Sequence, residues 1–267
     1  MKIAILSDIH EGINRKRTET DIMAILKRWI WKNKPEAFMI SGDMANHPQK
    51  ALQLLKALQD ECAQTNIYFV HGNHDVYADN SADAYKMLLQ FPGNLGNGPV
   101  MLNDDWVLIG DGGWYDYSHG LARYTEDDFA KGTYGTFTWT DKTQADWKTT
   151  DNEITSHAVQ RLEKWLHTYK DKHIIMTTHF VPFSHFVQYK NDPSWDFFNA
   201  MMGSTRFGGL AVQYGVKKYI FGHIHTRYHE MYKGIEMIGN PLGYYPHEWL
   251  YDSPEKEIQT TIKTIII

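Results

Sequence analysis

Carboxylates, imidazoles and an amide follow directly on short apolar runs at five places in this sequence: Asp8-x-His10, Asp43, Gly72-Asn73-His74-Asp75, His179 and Gly222-His223-x-His225. These are nitrogen and oxygen donors of borderline hardness, with no thiolate among them, which suits Mn²⁺, Fe, Zn²⁺, Co²⁺ or Ni²⁺ more than Ca²⁺ or a soft metal. Asp8, His10, Asp43, Asn73, His179, His223 and His225 are too many for one ion of ordinary coordination number. They suit two cations about 3.5–4 Å apart that share one carboxylate and a solvent molecule, the arrangement that activates water and clamps the oxygens of an in-line displacement at phosphorus. Asp-x-His and His-x-His are each expected about once by chance in a chain of this composition, whereas Gly-Asn-His-Asp is expected far less than once. Asp171-Lys172-His173 has the same spacing as Asp8-x-His10 but precedes an apolar run instead of ending one. It reads as a surface turn.

The elements that must position the donors are legible in outline. Ile3 to Leu6, Ala37 to Ile40, Ile67 to Val70, Ile174 to Thr178 and Tyr219 to Phe221 are continuous apolar runs, the pattern of strands covered on both faces. Amphipathic patterns at about 16–33, 48–63 and 152–169 predict helices between them, giving alternating β and α elements, a parallel sheet with right-handed crossovers and ligands at the carboxyl ends of the strands. Two strands around a turn at Asn103-Asp104-Asp105 are expected between Val100 and Gly110, and a β-prone tail from Thr260 to Ile267 that either finishes a sheet or pairs with another subunit. Two aromatic-rich stretches, about 111–150 and 180–203, lack periodicity and read as ordered insertions in a single domain, a candidate cap over the donors.

Composition narrows the class of protein. The 267 residues, 42% hydrophobic, suffice for one large α/β domain, and the net charge of −5 supplies no basic footprint for extended duplex nucleic acid. The single cysteine, Cys62, excludes an intrachain disulfide and fits a reducing cytoplasm. No apolar run reaches membrane-spanning length, and four apolar residues near Met1 are too few for a signal-peptide core. The expectation is a soluble cytoplasmic protein without a membrane partner.

In their order along the chain, the motifs resemble the signature of the calcineurin-like metallophosphoesterases over roughly 1–110 and 152–245. The resemblance implies a four-layer α/β-β/α sandwich of two mixed sheets flanked by helices. It also implies a dinuclear metal-dependent phosphoester hydrolase, in which a metal-bridging hydroxide attacks phosphorus, with manganese or an iron and zinc pair ranked first. By motif, Asp8, His10 and His225 would hold one metal and Asn73, His179 and His223 the other, with Asp43 bridging. His74 would then stand over the scissile phosphate and stabilise the transition state or protonate the leaving oxygen, with Asp75 fixing its tautomer.

The motifs set the reaction and leave the substrate open. Gly42-Asp43 continues as Met44-Ala45-Asn46-His47, unlike the Val-Asp-Arg-Gly of protein serine/threonine phosphatases, while Gly-Asn-His-Asp resembles the bacterial phosphodiesterase branch. That favours a phosphodiesterase acting on a small, nucleotide-like phosphoester, with a phosphomonoesterase as the alternative and a nuclease or inert scaffold as more distant rivals. Asn46, Trp114, Tyr115, Arg123 and Arg206 are the candidate substrate contacts, the rings (with Tyr117) for stacking a base and the arginines for pairing a phosphate.

Overall fold

The computed structural model describes residues 1–267. The first half runs β1 (Lys2–Leu6), α1 (Glu11–Thr18), α2 (Ile22–Asn33), β2 (Ala37–Ser41), α3 (Pro48–Glu61), β3 (Asn66–Val70), α4 (Ser81–Leu88), β4 (Val100–Met101) and β5 (Trp106–Gly110). After these come α5 (Glu126–Lys131), the hairpin β6 (Thr133–Tyr134) and β7 (Phe137–Thr138), α6 (Asp141–Gln144), α7 (Asp151–Thr168) and β8 (His173–Thr177). The chain finishes with α8 (Pro193–Phe198), α9 (Thr205–Gln213), β9 (Lys218–Phe221), β10 (Tyr228–Tyr232), β11 (Ile235–Gly239), α10 (Pro254–Thr261) and β12 (Lys263–Ile266).

Two mixed sheets carry the architecture, one ordered β12-β1-β2-β3 and the other β10-β11-β9-β8-β5-β4. Strands β1 to β3 are parallel, as are β11, β9, β8 and β5; the antiparallel strands β12, β10 and β4 lie at edges. Side-chain alternation divides each strand between two cores. Ile3, Ile5, Met39, Val70, Leu108, Ile175, Ile220 and Ile238 pack in the layer between the sheets. Their neighbours Ala4, Leu6, Phe38, Ile40, Phe69, Ile109 and Met176 face the helices in a larger cluster. Burial on both faces explains why the strands read as unbroken apolar runs, and the layers are the expected helix-sheet-sheet-helix sandwich.

The expected helix at 16–33 is two helices. Glu19 adopts a left-handed backbone (φ 52°) that ends α1, and Asp21 starts α2 by accepting from the Ala24 N–H at 3.0 Å. Helices α4, α9 and α10 escaped the periodicity reading because each is only eight or nine residues long; their caps, Asn80, Ser204 and Ser253, are the local signal. The tail pairs in its own sheet, Ala4 opposite Thr264, although its first residues, Thr260 and Thr261, belong to α10. His173 of the decoy motif is exposed at the entry of β8.

Both aromatic stretches are ordered and cross-braced. Ala78 N–H donates to the Gln144 carbonyl at 2.9 Å, Ser204 to Asp116 at 2.6 Å, and Trp139 stacks on Phe198 with centroids 5.7 Å apart.

Gly110, at the end of β5, marks how closely the sheets approach. A Cβ there would lie 2.4 Å from Thr177 Cγ2, 2.7 Å from Leu95 Cδ1 and 3.0 Å from Val70 Cγ1. Gly110→Val is expected to cost about 1–3 kcal/mol by overpacking, read as a lowered urea midpoint at unchanged m-value; an unaltered midpoint would contradict this packing.

Candidate metal centre and active site

The donors converge because the loops after the strands turn back sharply. Asp8 (φ 51°), His10 (44°), Asp43 (56°), His223 (69°) and His225 (51°) all hold left-handed backbone, a region that non-glycine residues visit rarely. Strands β1, β2 and β9 therefore end in hooks whose side chains point across the sheet ends instead of out to solvent. Two glycines make the approach feasible. A Cβ on Gly72 would sit 2.1 Å from Asp43 Oδ1, and one on Gly42 (φ 90°) 2.3 Å from His179 Nδ1. The carboxylate of Asp75 ties the hook after β2 to the turn after β3 by accepting the N–H groups of Asp43 (2.8 Å), Ala45 (3.0 Å) and Gly72 (2.9 Å).

All seven sequence-predicted donors meet in one cluster. Asp43 Oδ2 lies 3.7 Å from His10 Nε2 on one side and 3.5 Å from His179 Nε2 on the other. Around His10, His225 Nε2 is 3.1 Å away and itself 3.2 Å from Asp8 Oδ1. Around His179, Asn73 Oδ1 lies 3.2 Å from His179 Nε2 and 3.1 Å from His223 Nδ1. Donor atoms of Asp8, His10 and His225 fall within 4.8 Å of one another, as do those of Asp8, Asp43 and His179.

The chemistry of this donor set fits two divalent cations. Acceptor atoms face each other across the cluster, while the far ring nitrogens are fixed from behind: His179 Nδ1–H donates to the Ser41 carbonyl (2.8 Å), His223 Nε2–H to the Met201 carbonyl (3.2 Å) and His225 Nδ1–H to Glu248 (2.7 Å). Those bonds leave the near nitrogen of each ring as the one facing its neighbours, the tautomer a metal requires. Of the four rings in the cluster, only His10 has a far nitrogen, Nδ1, buried without a partner. Burial holds His10 well below the ordinary imidazole range and pushes His223 down to about 3, so both are neutral ligand-ready rings. Burial acts the same way on His179 and His225 but is outweighed, by Asp43 for the first and by Asp8 and Glu248 for the second, which raise them to about 9 and about 10. The buried carboxylates thus draw positive charge into the cluster.

His74 stands beside the cluster with Nδ1 3.3 Å from Asn46 Oδ1, and with Nε2 3.4 Å from the Tyr244 hydroxyl and 3.9 Å from Asp43 Oδ2. Asp75 is therefore not its orienting partner: a single 3₁₀ turn from His74 to Val76 sends the Asp75 carboxylate inward to the backbone N–H groups, and Asn46 holds the His74 ring instead. The expected substrate contacts need correction on the same basis. Trp114 and Tyr115 are 1% and 0% exposed, packed in the core and offering no face to a ligand. Trp114 donates to Asp151 at 2.7 Å, and the Tyr117 hydroxyl bonds the same carboxylate. Arg123 lies over the Tyr124 ring and Arg206 donates to Ser156; neither lines the cleft above the cluster. That cleft, about 750 Å³, is walled by other aromatics, Tyr77, Phe137, Trp139, Trp195, Phe198 and Tyr244.

A sequence model of the calcineurin-like phosphoesterases matches residues 1–227. The chain belongs to that family. It is 27% identical over 135 residues to a cattle (Bos taurus) transmembrane protein with a metallophosphoesterase domain, a match that takes in 47% of this chain and 29% of that much longer one. In this chain no helix is long and apolar enough to cross a membrane. Among solved structures, the fold superposes on a phosphopantetheinyl hydrolase from Mycobacterium tuberculosis with a TM-score of 0.77 at 16% identity, covering 99% of this chain and 95% of that one. It also superposes on a dimetal phosphatase from Danio rerio at 0.58 and 12% identity, covering 90% and 86%. Its two mixed sheets flanked by helices are the fold it shares with these structures.

Spacing could not have revealed Asp141, the buried first residue of α6, or Glu248. Asp141 accepts from Asn73 Nδ2 (2.8 Å) and the Tyr77 hydroxyl (2.7 Å) on one oxygen and from Trp139 Nε1 (2.8 Å) on the other. By taking the Asn73 amide N–H it turns Asn73 Oδ1 toward His179 and His223. Asp141→Leu strands two buried donors and one half-buried one and is expected to cost about 2–4 kcal/mol, measured by urea unfolding with metal chelated throughout; a change within about 0.5 kcal/mol, the ordinary range for surface substitutions, would show the three bonds to be dispensable.

Proposed function

We propose that the protein hydrolyses phosphodiesters at a dinuclear centre, with Asp8, His10 and His225 holding one cation, Asn73, His179 and His223 the other, and Asp43 facing both. Bound there, the cations would supply Lewis acidity, activating water and neutralising charge on the phosphoryl oxygens. The remaining work falls to side chains. The Nδ1–H of His74 donates to Asn46 Oδ1, leaving Nε2 turned to the cleft as the atom able to pass a proton to the departing ester oxygen. Burial first, and then the negative charges of Asp43 and Asp8, push the Tyr244 hydroxyl far above the ordinary phenol range. It stays protonated and can donate to a phosphoryl oxygen, while its own oxygen accepts from His74 Nε2 when that nitrogen carries the proton to be passed on.

The observation that carries the diester reading is the cleft itself. It opens from Asp43, Asn73, His74, His223 and His225 and continues past them along the aromatic residues, giving room for a second substituent on phosphorus that a simple monoester lacks. The Mycobacterium tuberculosis neighbour is named for acting on a phosphopantetheinyl group, but a likeness at 16% identity speaks to the fold alone. Turnover of bis-p-nitrophenyl phosphate well above that of p-nitrophenyl phosphate, lost on chelation and restored by Mn²⁺, is the expected result; the reverse preference would make the enzyme a monoesterase.

His74→Ala tests the assigned division of labour. It should retain both cations by elemental analysis while kcat falls about 10²–10⁴-fold, the usual worth of a positioned acid or base. Loss of the metals together with activity would move His74 into the ligand set.

A further inference from the structure

The cleft above the donors is chemically one-sided. Its lining includes four carboxylates, Asp43, Asp141, Asp192 and Glu248, and not one lysine or arginine. Two cations do touch its aromatic residues, but from outside the lining. Lys190 Nζ sits 3.2 Å from the Trp195 ring centroid, while Arg17 Cζ lies 5.7 Å from that of Tyr244, its Nη1 donating to the Tyr245 carbonyl. A second phosphate held away from the histidines of the donor cluster would meet carboxylates and indole faces, with no cation in the lining and only the exposed Lys190 at its rim to pair its charge.

The aromatic wall offers faces and withholds donors. The Trp139 indole N–H is taken by Asp141 and that of Trp195 by the Gln188 carbonyl at 2.8 Å. The same carbonyl takes the amide N–H of Asn199 at 2.8 Å, and Gln188 Nε2 is spent on Thr226 at 2.8 Å. What remains for a ligand on that wall is apolar ring surface, amide oxygens able to accept and the small hydroxyls of Thr140 and Ser194. Trp195 is 45% and Phe137 66% exposed, large rings held open at the mouth of a cleft that ends at the metal-binding cluster.

We infer that Trp139, Phe198, Trp195 and Phe137 form a subsite for an uncharged arm of the substrate, one with flat or apolar surface and hydrogen-bond donors, carried on a phosphodiester with a single phosphorus. The inference rests on the diester reading and names the substrate class within it. Nucleoside polyphosphates and nucleic acid strands are excluded by charge, and the insertions carrying these four residues set specificity while the strand ends set the reaction.

The test uses p-nitrophenyl diesters with one leaving group and four arms on the Mn²⁺-loaded protein: methyl, thymidin-5′-yl, the same nucleoside arm with a 3′-phosphate, and cholinyl. The thymidinyl ester is expected to exceed the methyl ester in kcat/KM by about tenfold, the value of one stacked ring, and the 3′-phosphate to remove that advantage. Trp195→Ala should abolish the thymidinyl-over-methyl preference through KM, and Trp195→Phe, which keeps a ring, should retain most of it. Equal turnover of thymidinyl and methyl esters, preference for the phosphorylated or cholinyl arm, or a preference untouched in Trp195→Ala would overturn the arm assignment while leaving the hydrolase reading intact. Failure to turn over any of the four esters would overturn both.

Discussion

A wholly buried carboxylate between two imidazoles, Asp43 between His10 and His179, is the interaction on which the rest of the site depends. Removing a charge from water costs several kcal/mol unless neighbours replace the lost solvation, and here the replacement is built from three directions. Oδ1 receives the His74 backbone N–H at 3.0 Å. His179 is drawn toward its protonated form, and His10 closes the other side. Each of those partners sits at the end of a different strand, so a charge at this point requires strand ends from both sheets to meet.

That requirement explains the backbone. A strand that simply ran out into a loop would carry Asp8 or His223 past the cluster, so the chain adopts left-handed conformations at five of the seven donors. Glycine at 42 and 72 provides the clearance, and Asp75 supplies the bonds that keep the strained hook at Asp43 in place. Strain of this kind, about 1–3 kcal/mol per residue, persists only where surrounding contacts over-determine it. The inter-sheet core beneath, with Val70, Ile175 and Ile220 packed together, is the rigid base against which the hooks are set.

The donors were legible in the sequence because a strand end is a local event: an apolar run stops and a ligand-type residue follows. The helices behind them were legible where their periodicity ran for three turns or more, and illegible at α4, α9 and α10, where it did not. The partners of the donors were not legible, since contact between Asn73 and Asp141 spans 68 residues and that between His225 and Glu248 depends on a loop of no particular pattern. Sequence adjacency misdirected the reading of Asp75, whose side chain leaves the opposite side of the turn from His74. Aromatic content located the insertions but could not tell their buried side from their open one. Trp114 and Tyr115 pack inward, whereas Trp139 in the same insertion and Trp195 in the other face the cleft.

Asp141 gives that last distinction a consequence. Its two oxygens join a metal-cluster residue, Asn73, to a wall residue of the cleft, Trp139, and Trp139 in turn stacks on Phe198 from the second insertion. A change that moved the wall would therefore pull on the amide whose oxygen faces His179 and His223. A change at Asn73 would free the indole that shapes the cleft. Groups bonded to one buried carboxylate are not energetically independent, so the shape of the cleft and the geometry of the donor cluster are coupled through a residue that belongs to neither the strand-end motifs nor the cleft's exposed rim. The insertions are in this sense part of the catalytic frame: they complete the cluster from above with the same carboxylate that fixes the surface on which the substrate's arm would lie.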